Sequence, residues 1–367
     1  MPLEPRLVPP PTRGVSSAAK VLDDWYVACE STALGTKPLA ITFLGTPIAV
    51  FRRTDGTPAA VLDRCPHRNV PLSMGRVRGS NIECGYHGWQ FDGSGRCQAI
   101  PGLCGALDKG TGRNVPAFAT REQDGWVWVY GTPDAEPERD PFRLPYRDDD
   151  RYTTIHQALD MEGSLHATAE NALDVPHTAF LHRGLFREDG ERQQIEVEVR
   201  RYHDRVEAEY LGEQRPEGLL GKVLAPGSDR LEVRHVDRFI LPCIAQVEYQ
   251  LGEAHIVATT ALTPIHDYET RLFGAAEFRL PVLSARFMPT KAIVSALKPL
   301  ALKVLGQDAA ALKKQTRNVQ RFGGEQYVST EIDVLGPEIL RLLRQAERGA
   351  RRPPRERPET RRLQMWV

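Results

Sequence analysis

The chain has 367 residues, of which 41% are apolar, so it is long enough for two or three domains with substantial cores. Lysine plus arginine and aspartate plus glutamate both number 48, and this balance gives no indication of a nucleic-acid partner. No apolar run approaches the ~20 residues of a membrane span. The proline-rich start has no apolar segment of the kind that secretory signals carry.

The six cysteines favour reduced thiols and metal ligation over disulfides, given this length and the lack of a signal. We therefore expect a cytoplasmic protein. Two of the cysteines, Cys65 and Cys84, belong to a motif described below. For Cys29, Cys97, Cys104 and Cys243 we expect the role of a small buried hydrophobe.

The N-terminal third of the chain has the pattern of a small β domain. Residues 1–20 are predicted to be a flexible proline-rich arm. Runs of β-branched and aromatic residues then follow, separated by turn sequences such as Asp55-Gly56. We predict an all-β domain over residues 21–145, which ends in a linker rich in proline, aspartate and arginine.

A second domain is predicted over residues 146–348. Between residues 194 and 280, apolar residues alternate with charged ones, which is typical of antiparallel strands with one buried face. Helices are predicted over residues 161–185, over 284–320 with interruptions at Pro289 and Pro299, and over 338–345. Residues 349–367 are predicted to be a mobile tail rich in arginine and proline.

The first metal motif lies in the β domain. Cys65-Pro66-His67 is followed, after 16 residues, by Cys84-Gly85-Tyr86-His87. Two thiolates and two imidazoles can hold a structural zinc, or a [2Fe–2S] cluster with cysteines on one iron and histidines on the other. Each loop offers one cysteine and one histidine, whereas zinc fingers usually pair like with like, so the pattern favours the cluster.

The second metal motif lies in the predicted second domain. His177 and His182 stand five residues apart, with Asn171 and Asp174 just upstream. Five residues of α-helix turn through about 500°, which leaves about 140° between the two side chains. An unbroken helix would therefore not direct both imidazoles at one metal. Pro176 disfavours helical geometry at the preceding residue, so we predict a break there.

The two motifs together resemble those of Rieske non-heme iron oxygenases, namely the oxygenase (alpha) subunits that assemble as trimers of one chain. The resemblance covers about residues 20–345. It implies an α+β fold, in which an N-terminal all-β Rieske domain precedes a helix-grip, START-like catalytic domain with a curved antiparallel sheet. It also implies a [2Fe–2S] cluster on Cys65, His67, Cys84 and His87, and a mononuclear Fe(II) on His177 and His182.

The resemblance implies a third iron ligand on a late helix, and the matching residue is Asp308. The family usually has an acidic pair at this point, whereas this chain has Gln307-Asp308. The helical pattern agrees with the assignment, because Asp308 shares one helix face with Leu305 and Leu312. A carboxylate on an apolar face must be paired or bound to metal. The rival is Asp333, whose surroundings are typical of a turn or a helix cap.

Two further residues receive roles by resemblance. Asp174 is expected to bridge an iron-ligating histidine and a cluster-ligating histidine of a neighbouring subunit, although it could also cap the helix that follows Pro176. Asn171 is expected to lie near the iron without binding it. Val70 and Tyr86 stand where respiratory Rieske proteins have extra cysteines, which implies a cluster of lower potential.

The resemblance implies a monooxygenase that uses O2 and electrons from a ferredoxin, an NAD(P)H-dependent reductase, or both. The chain has no glycine-rich fingerprint for a flavin or nicotinamide. We expect hydroxylation, which can end in demethylation, of a hydrophobic aromatic or sterol-like substrate. The alternatives are a Rieske electron carrier, a cis-dihydroxylating dioxygenase, and a lipid-binding protein with vestigial metal sites. The expected pocket residues are Phe180, Leu181, Leu185, Phe186, Phe239, Ile240, Leu241 and Ile244.

Two groups of basic residues and histidines remain. Four arginines near the cluster motif could dock an acidic ferredoxin or could simply be solvated: Arg64, Arg68, Arg76 and Arg78. Six histidines have no ligand spacing and are expected to be ordinary surface or core residues: His156, His166, His203, His235, His255 and His266.

Overall fold

The computed structural model describes residues 19–105, 111–183, 194–213, 233–280, 290–349 and 357–366. The chain divides into two compact units. One contains residues 20–145 together with 263–267, and the other contains residues 146–262 and the chain from 268 onward. Among the described helices, none is long and apolar enough to cross a membrane. The predicted N-terminal arm lies outside the described residues except for its last two positions.

The first unit consists of short strands in three antiparallel sheets. The strand orders are β1-β11-β10, β2-β3-β4-β9 and β5-β6-β7-β8. The strands are β1 (Trp25–Glu30), β2 (Leu39–Phe43), β3 (Thr46–Arg52), β4 (Pro58–Leu62), β5 (Arg76–Arg78), β6 (Asn81–Glu83), β7 (Gln90–Phe91), β8 (Cys97–Ala99), β9 (Ala117–Phe118), β10 (Thr120–Gln123) and β11 (Trp126–Tyr130).

The second unit is built on one eight-stranded antiparallel sheet, in the order β12-β18-β17-β16-β15-β14-β13-β19. The strands are β12 (Thr153–Met161), β13 (Gln194–Arg201), β14 (Arg205–Leu211), β15 (Val233–Ile240), β16 (Ile244–Leu251), β17 (Ala254–His266), β18 (Glu269–Arg279) and β19 (Glu359–Trp366). The described helices are α1 (Leu165–Leu173), α2 (Thr178–Leu181), α3 (Thr290–Arg321) and α4 (Gly336–Glu347). The predicted α+β fold, a β domain followed by a curved antiparallel sheet with helices, is thus confirmed.

Contacts with other parts of the second unit fix the position of helix α1. Ser164 caps its start, because the Ser164 side chain accepts a hydrogen bond from the Ala167 backbone N–H at 3.2 Å. His166 Nε2 lies 2.7 Å from the Gly336 carbonyl oxygen and ties α1 to the start of α4. Thr316 of α3 donates a hydrogen bond to the carbonyl oxygen of Glu162, just before α1.

Two sequence predictions of local structure were wrong, and strand β12 lies mostly in a stretch for which the sequence made no prediction. Helix α3 continues through Pro299, since proline removes only one hydrogen bond from a helix of 32 residues. Cys104 is exposed in a loop, although Cys29 and Cys243 are buried as expected. The predicted interruption at Pro289 lies outside the described residues.

The C-terminal segment was also predicted wrongly as a mobile tail over its whole length. Strand β19 pairs with β13 along eight residues and covers the edge of the sheet. The many arginines of this segment are typical of a solvated tail, which concealed the strand pattern. In the structure Arg362 forms ion pairs with Glu196 and Glu198 across the strand pair. Cross-strand pairs of opposite charge stabilise a sheet.

We expect Met365→Ala to destabilise the second unit, because Met365 is 2% exposed and lies opposite Ile195. Truncating a buried methionine costs about 2–5 kcal/mol, which lowers the thermal midpoint by about 2–4 °C for each kcal/mol. The neighbouring variant Trp366→Ala is the matched control, since Trp366 is 62% exposed. Equal melting temperatures for the two variants would contradict the docked strand.

Candidate metal centres

The four residues of the first motif lie on two tight loops of the first unit. The Cys65 loop is closed by hydrogen bonds between Cys65 and Val70 (2.9 Å) and between Asn69 and Cys65 (2.8 Å). The Cys84 loop is closed in the same way by bonds to Trp89 and Gly88. Each loop therefore presents its cysteine and histidine side chains in a fixed direction.

The two loops approach one another closely at a glycine. A Cβ atom added to Gly75 would lie 1.9 Å from the carbonyl oxygen of Glu83, so no other residue fits without a backbone shift. The His67 and His87 rings are 4.5 Å apart between centroids, and Trp89 stacks on His67 at 4.9 Å. The histidines thus sit as neighbours.

The donor set fits an iron–sulfur cluster. Cys65 and Cys84 are both buried, and burial raises the pKa of the Cys65 thiol to about 11, so a nearby cation is required to make it a thiolate at neutral pH. His67 Nδ1 is buried without a hydrogen-bond partner, as expected for an atom that faces a metal. His87 is exposed.

The arginines near the cluster loops differ in their surroundings. Arg76 and Arg78 both form ion pairs with Glu83, at 2.7 and 3.2 Å. Burial raises the pKa of Glu83, but these two guanidinium groups outweigh burial and hold it below its usual value. Arg64 donates to Asn69 at 2.8 Å. Much of the charge of Arg76 and Arg78 is therefore balanced within the unit.

The second motif is arranged by the predicted break in the helix. Helix α1 ends at Leu173 and α2 begins at Thr178, so the chain changes direction at Val175 and Pro176. The Asp174 side chain accepts a hydrogen bond from the His177 backbone N–H at 3.3 Å. This bond lies in the turn before α2, whose N-cap residue is His177 and has no side-chain cap, so the prediction that Asp174 caps that helix was wrong.

The break brings His177 and His182 together with Asp308 of α3. The Nε2 atoms of the two histidines are 3.1 Å apart. Asp308 Oδ1 lies 3.0 Å from His182 Nε2 and 3.5 Å from His177 Nε2. These are the described residues whose ligand atoms could together hold one metal ion. The rival Asp333 instead accepts hydrogen bonds from Thr330 in a turn.

Each of these three side chains also has a polar neighbour outside the triad. His177 Nδ1 lies 3.4 Å from Asp174 Oδ2, at ion-pair distance but without a hydrogen bond, and His182 Nδ1 lies 2.9 Å from Gln307 Oε1. Asn171 Nδ2 donates to Asp308 Oδ1 at 3.3 Å. Partners of this kind orient metal ligands and set their donor strength.

The charges of this triad suit a divalent cation. Burial lowers the pKa of His177, but Asp174 and Asp308 outweigh burial and raise it to about 9. His182 is only 1% exposed. A 2-His-1-carboxylate set with open positions is the arrangement typical of non-heme Fe(II) in oxygenases. The residues therefore fit a mononuclear iron.

A cavity of about 530 Å³ opens beside Asp174 in the second unit. Its lining includes Glu170 and Asp333 as well as Asp174, and Tyr327 and Val328 from the loop before α4. Burial raises the pKa of Glu170 to about 7, and the charges of Asp174 and Asp333 add to the effect. This cavity is thus acidic in part, unlike the apolar substrate pocket that the sequence predicts.

The residues predicted to line a substrate pocket have varied positions. Leu181 lines the cavity beside Asp174, and Phe180 is 61% exposed. Phe239 is fully buried, while Leu241 follows the end of β15 and is partly buried. Ile240 and Ile244 lie on the opposite face of the sheet from Phe239, since side chains alternate along a strand. Leu185 and Phe186 lie outside the described residues.

His235 is the most enclosed of the other histidines, and its environment confirms a satisfied core residue. Its ring lies between Tyr210 and Tyr249, with centroids 4.5 and 4.0 Å away. Both ring nitrogens have carboxylate partners, Glu213 at 2.7 Å and Asp237 at 3.0 Å. Burial lowers the pKa of His235, but the two carboxylates outweigh burial and raise it to about 9.

Gln307 is the site residue that sequence reasoning missed. The sequence signal was present, since Gln307 is adjacent to the expected ligand and departs from an acidic pair. Its contact with His182 joins residues 125 positions apart in the chain. Only the fold could reveal that pairing.

Comparisons with known proteins agree with this geometry. Residues 24–111 match the family described as the Rieske [2Fe-2S] domain. Residues 161–349, more than half of the chain, match the vanillate O-demethylase oxygenase C-terminal domain.

Two curated relatives are similar over different lengths. The oxygenase component of dicamba O-demethylase from Stenotrophomonas maltophilia is 36% identical over 183 residues, which is 49% of this chain and 53% of that protein. The match thus spans about half the length of that relative. The vanillate O-demethylase oxygenase subunit from Pseudomonas sp. is 24% identical over 355 residues, 87% of this chain and 92% of that protein.

The crystal structure of dicamba monooxygenase bound to 3,6-dichlorosalicylic acid superposes with a TM-score of 0.75 at 25% identity. The similarity covers 90% of this chain and 98% of that chain.

We expect Glu170→Gln to stabilise the protein above neutral pH. A carboxyl group whose pKa is raised on folding contributes stability that is present below its unfolded value of 4.5 and lost as pH rises through about 7. The melting temperature of the variant minus that of the wild type should therefore grow between about pH 5 and about pH 8. Glu331→Gln, on an exposed residue nearby, should show no such trend. A constant difference for Glu170→Gln would contradict a raised pKa.

Proposed function

The chain belongs to the Rieske non-heme iron oxygenases, and we propose that it is a monooxygenase of a hydrophobic aromatic or sterol-like substrate. Where the hydroxylated carbon is a methyl on oxygen or nitrogen, the unstable product loses that carbon and the outcome is demethylation. The observation that carries the proposal is the triad of partly buried His177 with buried His182 and Asp308, in a chain that also has a complete set of cluster ligands.

The residues have distinct tasks in this proposal. Cys65, His67, Cys84 and His87 would hold the [2Fe–2S] cluster, and the triad would hold Fe(II). When bound, these two centres supply electron storage and O2 activation. The protein orients the ligands and keeps bulk water from His182, and a three-residue ligand set would leave positions for O2 and substrate on a bound iron.

The substrate class is supported by the face of the sheet that bears Tyr210, the same face that turns toward α1. Strand pairing places Tyr249 and Ile256 on this face, and Val247 and Ala258 one step along it. These four side chains are only partly buried although they lie within the sheet. A partly exposed apolar surface inside a fold suits a hydrophobic ligand. The relatives whose names denote demethylation of dicamba and vanillate support an aromatic one.

We propose that electrons come from a separate ferredoxin or NAD(P)H-dependent reductase. The similar dicamba protein is the oxygenase component of its system, which supports a separate donor. A docking surface is available at the cluster loops, where Met74 is 73% exposed and Tyr86 62% exposed, beside Arg68. The six cysteines, all within the described part of the chain, form no disulfide, which agrees with a cytoplasmic location.

We propose a homotrimer in which Asp174 joins the iron site of one chain to the cluster of the next. Asp174 contacts His177 through Oδ2, and its side chain remains 31% exposed. Of the two cluster histidines, His87 is the exposed one and so could reach Asp174 of a neighbouring copy. Exposed apolar residues at the rim of the cavity beside Asp174, Val328 (91%) and Ile332 (45%), support a contact between chains there.

The function is tested first by metal content. The wild-type chain should hold about three irons, about two in the cluster and one at the triad. Asp308→Ala should lose only the triad iron and keep the visible spectrum of the cluster, whereas Asp333→Ala should keep all three. A carrier or a vestigial site would show no loss on Asp308→Ala.

Turnover then tests the chemistry. With a matching reductase, hydrophobic methoxy-arenes should stimulate O2 uptake and give formaldehyde with the demethylated product, and Asp308→Ala should give neither. A dihydroxylated product would identify a dioxygenase instead. O2 uptake with small charged acids alone would contradict the proposed substrate class.

Asp174→Asn tests the link between the two centres. The amide keeps the shape and can still accept the hydrogen bond from the His177 backbone N–H, but it loses the negative charge proposed to lie between the two imidazoles. We expect both metals to remain bound while rapid-mixing experiments show much slower re-oxidation of the reduced cluster by O2 and substrate. Normal re-oxidation with full metal content would rule out the bridging role.

A further inference from the structure

Gln307 gives the triad ligand His182 a neutral amide neighbour. Its Oε1 lies 2.9 Å from Nδ1 of His182. His182 is 1% exposed, so water cannot serve that nitrogen in place of the amide. The contact therefore determines how the ring is held and which nitrogen carries its proton.

The orientation of the amide decides whether His182 can bind a metal. An amide oxygen can only accept, so with Oε1 facing Nδ1 the proton sits on Nδ1 and the lone pair of Nε2 points at the shared centre. The reverse orientation would place the proton on Nε2, which lies 3.0 Å from Asp308 Oδ1. A proton there would occupy the direction that a metal needs.

The two histidines also differ in the charge of their partners. His177 Nδ1 faces the carboxylate of Asp174 at 3.4 Å, whereas His182 Nδ1 faces a neutral amide. A carboxylate partner makes an imidazole a stronger donor to a metal than an amide does. A second carboxylate at position 307 would also add a further negative charge beside Asp308.

From this geometry we infer that Gln307 is a positioning residue that fixes the metal-binding tautomer of His182 and makes the two histidine ligands unequal. The inference rests on the proposed iron at the triad. It explains the departure from the acidic pair as a functional substitution rather than a misalignment. It assigns the anionic partner to His177, the ligand nearest Asp174.

The test compares three variants of the full chain with its cluster intact. Gln307→Met keeps the side-chain length but removes the acceptor, and Gln307→Glu keeps an acceptor and adds a charge. Gln320→Met, on an exposed residue of the same helix, is the control. The readouts are the Fe(II) dissociation constant, measured by competition with a chelator, and the low-temperature EPR spectrum of Co(II) bound at the triad with the cluster oxidised.

We expect Gln307→Met to weaken Fe(II) binding by about 10- to 100-fold and to alter the Co(II) spectrum. Gln307→Glu should bind Fe(II) at least as tightly as the wild type but with a shifted spectrum, because a carboxylate can only accept. Weaker binding by Gln307→Glu would mean that the amide donates to His182, and would overturn the inference. So would a Gln307→Met protein indistinguishable from Gln320→Met.

These readouts do not depend on turnover. The cluster spectrum reports that each variant has folded. If the wild-type chain binds Fe(II) with the expected response to the Gln307 variants and yet oxidises no substrate, the proposed function fails and the positioning role stands. If the wild-type triad binds no Fe(II), both fail together.

Discussion

The second unit depends on holding three metal-binding groups close together in a site that water barely reaches. Asp308 Oδ1 and the Nε2 atoms of His177 and His182 lie within 4.8 Å of one another. Without a cation, a buried carboxylate is costly, and the charges of Asp174 and Asp308 raise the pKa of His177. A bound divalent metal would therefore offset the negative charge of this site.

The need to bring these three groups together explains the elements around the site. The break at Pro176 is needed because a regular helix would separate the two imidazoles. The long helix α3 is needed to carry Asp308 to them, and Thr316 anchors it to the residue before α1. Asn171, Asp174 and Gln307 then each hold one ligand in place. Few of these contacts are local in sequence, so the site forms only when the whole unit folds.

This division between local and distant contacts accounts for what could be predicted from sequence. Residue spacing and proline chemistry, which act over a few residues, predict the cluster loops, the helix break and the apolar helix face that bears Asp308. Strand β19 and the contact of Gln307 with His182 could not be predicted, because each depends on a partner more than 100 positions away. The arginines of β19 resembled a solvated tail until Glu196 and Glu198 supplied their partners.

The same reasoning distinguishes the two histidines as routes for electrons. His182 is enclosed and has a neutral partner, so it is suited to fixing the geometry of the metal. His177 has an anionic partner that is still 31% exposed, so it is the ligand with a polar connection toward the surface. On the first unit, His67 is shielded by Trp89 while His87 is exposed. In the proposed trimer, the electron path between chains therefore has one candidate at each end, His87 and the pair of Asp174 with His177.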